Sequence, residues 1–319
     1  MSRSHRFRFG VIGERMASAE AWRATARRAE ELGFSTLLIR DHFIPEPFGD
    51  QFAPLIALMA AADATTLLRV GSLVLDNDYR HPVMLAKAAA TLDVLSNGRF
   101  ELGLGAGWAK AEYQQAGMAF DAPGTRVSRL EEALHVIKGL FAAGPLTFSG
   151  DYYRIDQLSG YPEPIQQPHP PILIGASGRR MLALAAREAD TIGLLNGDYS
   201  SGTEIDDPLK RSPEALAEKI EWIRQAARER FDRVELSMVI APILTSDRRQ
   251  GAAECARQHG WDTVRPEDVL AMPSIFIGSA EQIADQMEER REQFGVPYYI
   301  VSDANMEAMA PIVARLAGS

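Results

Sequence analysis

Eight short apolar runs punctuate the chain, each ending in, or followed at once by, a polar residue or a glycine, and each followed by residues with helical spacing of their apolar positions. They are Phe7–Gly13, Ser35–Arg40, Leu68–Leu75, Arg99–Gly105, Pro171–Gly175, Thr191–Leu195, Val234–Leu244 and Pro297–Ser302. Most are apolar without strict alternation, the pattern of strands covered on both faces, as in a parallel sheet. Parallel neighbours need a crossover, and the helical stretches supply one each time. With 319 residues, 46% of them hydrophobic, the chain has length and core for one such unit plus insertions. The expected fold class is α/β: a (β/α)8 TIM barrel with insertions at the carboxyl face, residues 1–319 forming one domain. An open, doubly wound sheet is the alternative. Either architecture collects the strand ends Asp41, His42, Gly71–Asp76, Gly103–Trp108, Gly175–Gly178 and Asn196 on one face.

The punctuation between the runs is specific. Ser18 caps a helix over Glu20–Leu32 that stops at Gly33, and Ser279 opens another to Phe294. Further helices are expected over Pro54–Thr65, His81–Leu95, Gly124–Ala142, the stretch to Glu188, Pro213–Phe231, Asp247–His259 and Asn305–Leu316. Residues 144–171 read as an insertion, a β-hairpin over Leu146–Leu158 followed by a proline-rich connector. Asn196–Ser212 is a polar loop and the lid candidate. Asp262–Ser274 shows no clear period.

Charge narrows the partners. A net charge of −9, with a pI near 5.3, argues against a phosphate lattice, so neither nucleic acid nor a membrane surface is an expected partner. The one cysteine, Cys255, cannot form an internal disulfide and sits in a helical stretch with no partner motif. No apolar run approaches about 18 residues and none resembles a signal segment, so a cytoplasmic location is expected.

The run Arg99–Trp108, R-F-E-L-G-L-G-A-G-W, carries three glycines spaced two apart. It reads either as backbone lying flat against a ligand or as a strand with glycines for close packing. A dinucleotide fingerprint is excluded, because Trp108 stands where its third glycine belongs and the run is not the first strand of the chain. Asp41 and His42 close a strand and suit a proton-transfer pair or a structural pair; a metal site would need more ligands than the strand ends supply, so none is expected. Gly175, Ala176, Ser177 and Gly178 lie between a strand and a helix start, where free amides suit a phosphate, though such turns also serve structure alone. Trp108 stacks on a flat ring or caps the barrel.

Taken jointly, the D-H-F strand end at Asp41, G-S-L-V-L from Gly71, the H-P-x-x-x-A-K-x-x-A-T-L-D helix from His81, S-N-G-R-F-E-L-G-L-G-A-G-W and the G-A-S-G turn from Gly175 resemble the luciferase-like monooxygenase superfamily, over nearly the whole chain. Asp41-His42-Phe43 is most similar to the branch that uses the deazaflavin coenzyme F420. The resemblance implies that Asp41 and His42 meet the ring edge, with His42 as the catalytic acid/base, and that Leu73–Val74 is a non-proline cis peptide backing the ring. It further implies that Gly105, Ala106, Gly107 and Trp108 border the ring while Gly175, Ala176, Ser177 and Gly178 hold the phosphate. The sugar-phosphate dehydrogenases of that superfamily carry a catalytic glutamate where this chain has Trp108. The implied activity is hydride transfer between F420 and a small organic substrate by a homodimer. Two alternatives stand beside it: an FMN-dependent monooxygenase served by a separate flavin reductase, and a non-catalytic flavin-binding barrel.

Overall fold

The computed structural model describes residues 5–199 and 201–319, and the eight apolar runs are eight parallel strands. These are β1 (Arg8–Ile12), β2 (Thr36–Ile39), β3 (Arg69–Ser72), β4 (Phe100–Gly105), β5 (Ile172–Ala176), β6 (Thr191–Leu194), β7 (Glu235–Val239) and β8 (Tyr298–Ser302). Each pairs with its sequence neighbours, and β8 returns to β1 in register from Arg8–Tyr298 to Ile12–Ser302. That last pairing closes the sheet, so the fold is a (β/α)8 barrel and not an open sheet. Along β1, Phe9 and Val11 face the helices, while Ile12 packs inside with Leu38, Tyr298 and Ile300.

A helix follows each strand: Ala19–Glu31, Pro54–Asp63, Pro82–Leu95, Pro123–Phe141, Arg179–Glu188, Pro213–Ala227, Ala280–Phe294 and Met306–Leu316. Ser18 Oγ accepts from the Ala21 amide at 3.1 Å, and Ser279 with Gln282 forms a reciprocal capping box, both at the positions expected from sequence.

Three features depart from the sequence reading. The Leu68–Leu75 run, expected as one continuous strand, is broken after Ser72 by the cis Leu73–Val74 bond that the resemblance implied, and pairs again with β4 over Leu75–Asp76. The Val234–Leu244 run is two strands. Its second half, Ala241–Leu244, leaves the barrel at Ile240 and pairs in parallel with Ile275–Gly278, a strand not anticipated. Pro242 has no amide proton to give and sits in this two-strand sheet, not in the barrel wall. Around it, helices Arg248–Gln258 and Pro266–Ala271 enclose a satellite core of Ala252, Cys255, Trp261, Val269, Met272 and Ile277.

The third departure concerns the insertion at 144–171. It joins a helix end to the start of β5, so its roots lie at the amino end of the barrel, not at the carboxyl face. Its hairpin, Pro145–Ser149 with Arg154–Ser159, runs back along Pro123–Phe141, and Glu132 accepts from the amides of Asp151, Tyr152 and Tyr153 at the tip. Among the described residues, long segments that do leave the carboxyl face include 40–53, 106–122, 201–212 and 241–278.

The amino end is closed by charge. Arg8 donates to Glu101 at 2.6 Å and to Glu235 at 2.7 Å, Arg69 also grips Glu101 at 2.5 Å, and Arg8 lies over the Tyr298 ring. These residues open β1, β3, β4, β7 and β8, so the strand starts form a polar plug opposite the strand ends.

Candidate active site

The carboxyl ends of the strands surround a cavity of about 610 Å³. Asp41, His42, Leu73, Val74, Gly105, Ala106, Gly107, Trp108, Gly175, Ser177 and Gly178 all line it. Ala176 does not: its side chain is in the main core and its carbonyl accepts the Leu195 amide. No residue of the 144–171 insertion lines the cavity, whereas Asn196, Gly197, Asp198, Tyr199, Glu204 and Arg211 of the lid candidate do.

His42 is not paired with Asp41. Successive residues of an extended strand end point to opposite sides, and each of the two finds its own partner. Arg80 holds both oxygens of Asp41, with Nη2 to Oδ1 at 2.8 Å, and the Asp76 amide donates to Asp41 Oδ2 at 3.0 Å. His42 Nδ1 instead meets Glu112 Oε2 at 2.9 Å. Glu112 stands on a short helix, Lys110–Gln115, one turn beyond the glycine run, and its side chain is 1% exposed. Its carboxylate also accepts from the amides of Phe43 at 2.7 Å and Ile44 at 3.3 Å and from the Tyr79 hydroxyl at 3.1 Å. Burial pushes this carboxyl up, but the hydrogen bond and charge of His42 with the two amides hold it below the ordinary range. An ionised Glu112 therefore accepts the hydrogen bond from His42 Nδ1–H and keeps the proton on that nitrogen, which leaves His42 Nε2 as the atom facing proton exchange with the cavity.

Asp76 is a second buried carboxyl on the cavity wall. Burial pushes it up to about 7, against hydrogen bonds from the Tyr113 hydroxyl at 2.7 Å and the Asp78 amide at 2.9 Å, with the charges of Asp78 and Asp41 adding to the rise.

The glycines of β4 have separate reasons. A Cβ on Gly103 would lie 1.8 Å from the Ser72 carbonyl oxygen, so this glycine lets β3 and β4 approach and does not face a ligand. Gly107 has φ +78° and a Cβ there would fall 2.0 Å from the Tyr113 hydroxyl and 2.5 Å from Asp76. The turn at Gly107 thus brings Trp108 round to the cavity, where it meets His42, Phe48 and Tyr199 edge-on at centroid distances of 5.8, 6.5 and 5.2 Å.

Across the cavity, helix Arg179–Glu188 starts at Gly178 with no side-chain cap, so its first amides are open toward Gly175–Gly178. Arg126, Arg179 and Arg180 line the same wall, and none pairs with a carboxylate among the described residues. Arg126 Nε is buried without a partner there, and Arg180 reaches only Gly124 O at 3.0 Å and Ser128 Oγ at 2.7 Å. Arg126 also donates to the Asp121 carbonyl and Arg179 lies over the Trp222 ring, so the three cations are positioned but not neutralised, and beside open helix amides they fit an anionic group. The lid segment is braced from outside: Asp206 accepts from Arg211 Nε at 2.6 Å and from His259 Nδ1 at 2.9 Å, and Arg211 lies over the Trp261 ring.

Sequence reasoning missed Glu112 and Arg80 as site residues, and placed Asp76 on the strand-end face without giving it a role. The signal for Glu112 was a charged residue beside Tyr113 on what becomes a buried helical turn. Among the described residues no group of three or more His, Cys, Asp or Glu side chains is arranged to hold a metal ion.

A closed barrel thus carries, on one cavity at its strand ends, a buried acid–imidazole pair and a wall of open helix amides and arginines. The chain belongs to the luciferase-like monooxygenase family, whose profile matches residues 4–297. An F420-dependent glucose-6-phosphate dehydrogenase of Amycolatopsis mediterranei is 35% identical over 168 residues, 52% of this chain; the chain spans half the length of that relative. An FMNH2-dependent dimethylsulfone monooxygenase of Pseudomonas putida is 27% identical over 87% of this chain and 83% of its own length. In fold, an F420-dependent secondary alcohol dehydrogenase solved with an F420–acetone adduct superposes with a TM-score of 0.77 at 20% identity, covering 97% of this chain and 99% of that one.

Proposed function

We propose that the protein moves a hydride between coenzyme F420 and a small organic substrate, with His42 giving or taking the accompanying proton. The observation that carries this reading is the pair of opposed walls: His42 on Glu112 at one side, and Gly175–Gly178 with Arg126, Arg179 and Arg180 at the other. Three arginines without carboxylate partners exceed what a single terminal phosphate calls for, and suit a tail carrying a phosphate and further carboxylates, as that of F420 does. Bound there, the deazaflavin supplies or accepts the hydride at its ring carbon. Gly175, Ser177 and Gly178 hold the phosphate through their amides, Leu73 and Val74 support one face of the ring, and Asp41, Ala106 and Gly107 border it. His42 Nε2 carries the proton, and Glu112 keeps Nδ1 protonated so that Nε2 faces the reaction. A non-catalytic flavin-binding barrel has no use for a buried carboxylate that orients a cavity-lining imidazole.

A second reading, an FMN-dependent monooxygenase fed by a separate flavin reductase, is favoured by the Pseudomonas relative, which aligns over most of both chains. Calorimetric titration of the full chain with both coenzymes separates them. F420 is expected to bind at least about tenfold more tightly, a difference of about 1.4 kcal/mol. FMN binding tenfold more tightly than F420 reverses the assignment.

A further inference from the structure

We infer that the substrate held beside His42 is an uncharged, flat, apolar carbonyl compound, taken into an aromatic pocket formed by Phe48, Trp108 and Tyr199. The inference rests on the proposed hydride transfer for its chemistry, and on the geometry of these rings for its substrate class. The His42 ring centroid lies 5.0 Å from that of Phe48 and 5.8 Å from that of Trp108, and Tyr199 closes the far side of Trp108 at 5.2 Å. Phe48, His42 and Tyr199 stand at 75°, 77° and 69° to the indole plane, so none of them stacks flat on it. Rings arranged this way leave the parallel stacking position to a ligand, and aromatic faces reward flat apolar surface.

Charge decides what else such a ligand carries. The cations beside these rings are paired, Arg40 with Glu14 and Arg211 with Asp206, as is Arg80 behind them with Asp41, while the buried Lys219 ammonium is turned to the Leu195 carbonyl at 2.7 Å. The carboxylates are spoken for as well, Glu112 by His42, Phe43, Ile44 and Tyr79, and Glu204 by the Tyr199 hydroxyl at 2.8 Å. The arginines without carboxylate partners stand at the opposite wall. An anionic substrate would have to be desolvated beside His42 with no unpaired arginine next to it, and a polyhydroxylated one would face three aromatic rings. His42 Nε2, left open by the bond at Nδ1, is a polar handle that suits a carbonyl oxygen.

The test is calorimetry on the full chain, with and without saturating F420 or FMN, using 2-acetonaphthone, cyclohexanone and glucose 6-phosphate as probes. The expected order is 2-acetonaphthone tightest, cyclohexanone weaker, and no heat from glucose 6-phosphate. Trp108→Ala should weaken 2-acetonaphthone about tenfold or more and Trp108→Phe keep most of the affinity, while Phe48→Ala, at a residue given no coenzyme contact, should weaken the ketone with coenzyme affinity changed by less than about threefold. Melting temperature is recorded on each variant, and Phe48→Ala provides the same readout if Trp108→Ala does not fold. Glucose 6-phosphate binding as tightly as 2-acetonaphthone, or ketone affinity unchanged in both folded alanine variants, overturns the inference. A chain that binds a coenzyme but no aromatic ketone sinks the pocket assignment alone; one that binds the ketone but neither coenzyme sinks the coenzyme reading alone.

Discussion

The Glu112 carboxylate accepts from four donors: one imidazole, two amides and one hydroxyl. Glu112→Gln keeps an oxygen for the Phe43 and Ile44 amides yet removes the charge that holds the Nδ1 proton. The turn should survive while turnover falls about tenfold or more, with a shifted pH profile. His42→Ala should cost about 10² to 10⁴ in kcat with coenzyme affinity within a few fold. Single-turnover hydride transfer, coenzyme titration and melting temperature on both variants check this; a full hydride-transfer rate in His42→Ala removes its catalytic role. Asp76 gives a separate pH signature. Its carboxyl titrates near 7 in the fold and at about 3.9 in an unfolded chain, so the folded state holds the proton more tightly. Its stabilising contribution is complete below about pH 4 and is lost as the pH rises through about 7. Asp76→Asn should flatten the fall in melting temperature across that window, and an unchanged slope in the variant contradicts the assignment.

At the scale of elements, the eight strands were legible because a strand buried on both faces must be apolar, and because Ser18 and Ser279 announce their helices. The site was legible in part. Asp41, His42 and the Gly175 turn sit at strand ends, whose common face follows from closure alone. Glu112 lies 70 residues from His42, and no local pattern ties the two. The Ile240 break was hidden because both halves of that run are apolar, one against the barrel and one against Ile275–Gly278. The glycine run was ambiguous for a similar reason: close packing and ligand approach both call for a missing Cβ. Gly103→Ala should lower stability by more than about 4 kcal/mol or abolish folding, since backbone oxygen fills the space. Gly178→Ala, with φ −84° and nothing within 4 Å of its Cβ, should leave the thermal transition where it is. Thermal denaturation of the pair checks both, and equal behaviour would refute the packing argument.

The whole molecule divides its labour between two ends, the polar plug at the strand starts and the cavity at the strand ends. Removing one partner from a buried ion cluster strands the others, at a cost of about 3 to 5 kcal/mol. Glu101→Gln leaves Arg8 and Arg69 without their shared carboxylate, and the loss should fall near about 3 kcal/mol, the lower limit, because both arginines keep 27% and 28% of their side chains in solvent. Coenzyme affinity should not change, as the plug is at the far end of the barrel. Chemical denaturation and calorimetry together test that separation. The satellite around Trp261 connects to function differently. Its core is a cluster apart from the main one, and it reaches the barrel through Phe276 and through Arg290, which donates to Pro273 O at 2.9 Å and Ile275 O at 2.8 Å. A unit so attached opens on its own, below the free energy of global unfolding. Each opening releases His259 from Asp206 and Trp261 from Arg211, so amide deuterium uptake in 206–212 should rise in step with that in 252–261. A core-loosening change such as Val269→Ala should quicken both and hasten coenzyme departure, making this peripheral lobe a timer for how long the cavity stays covered.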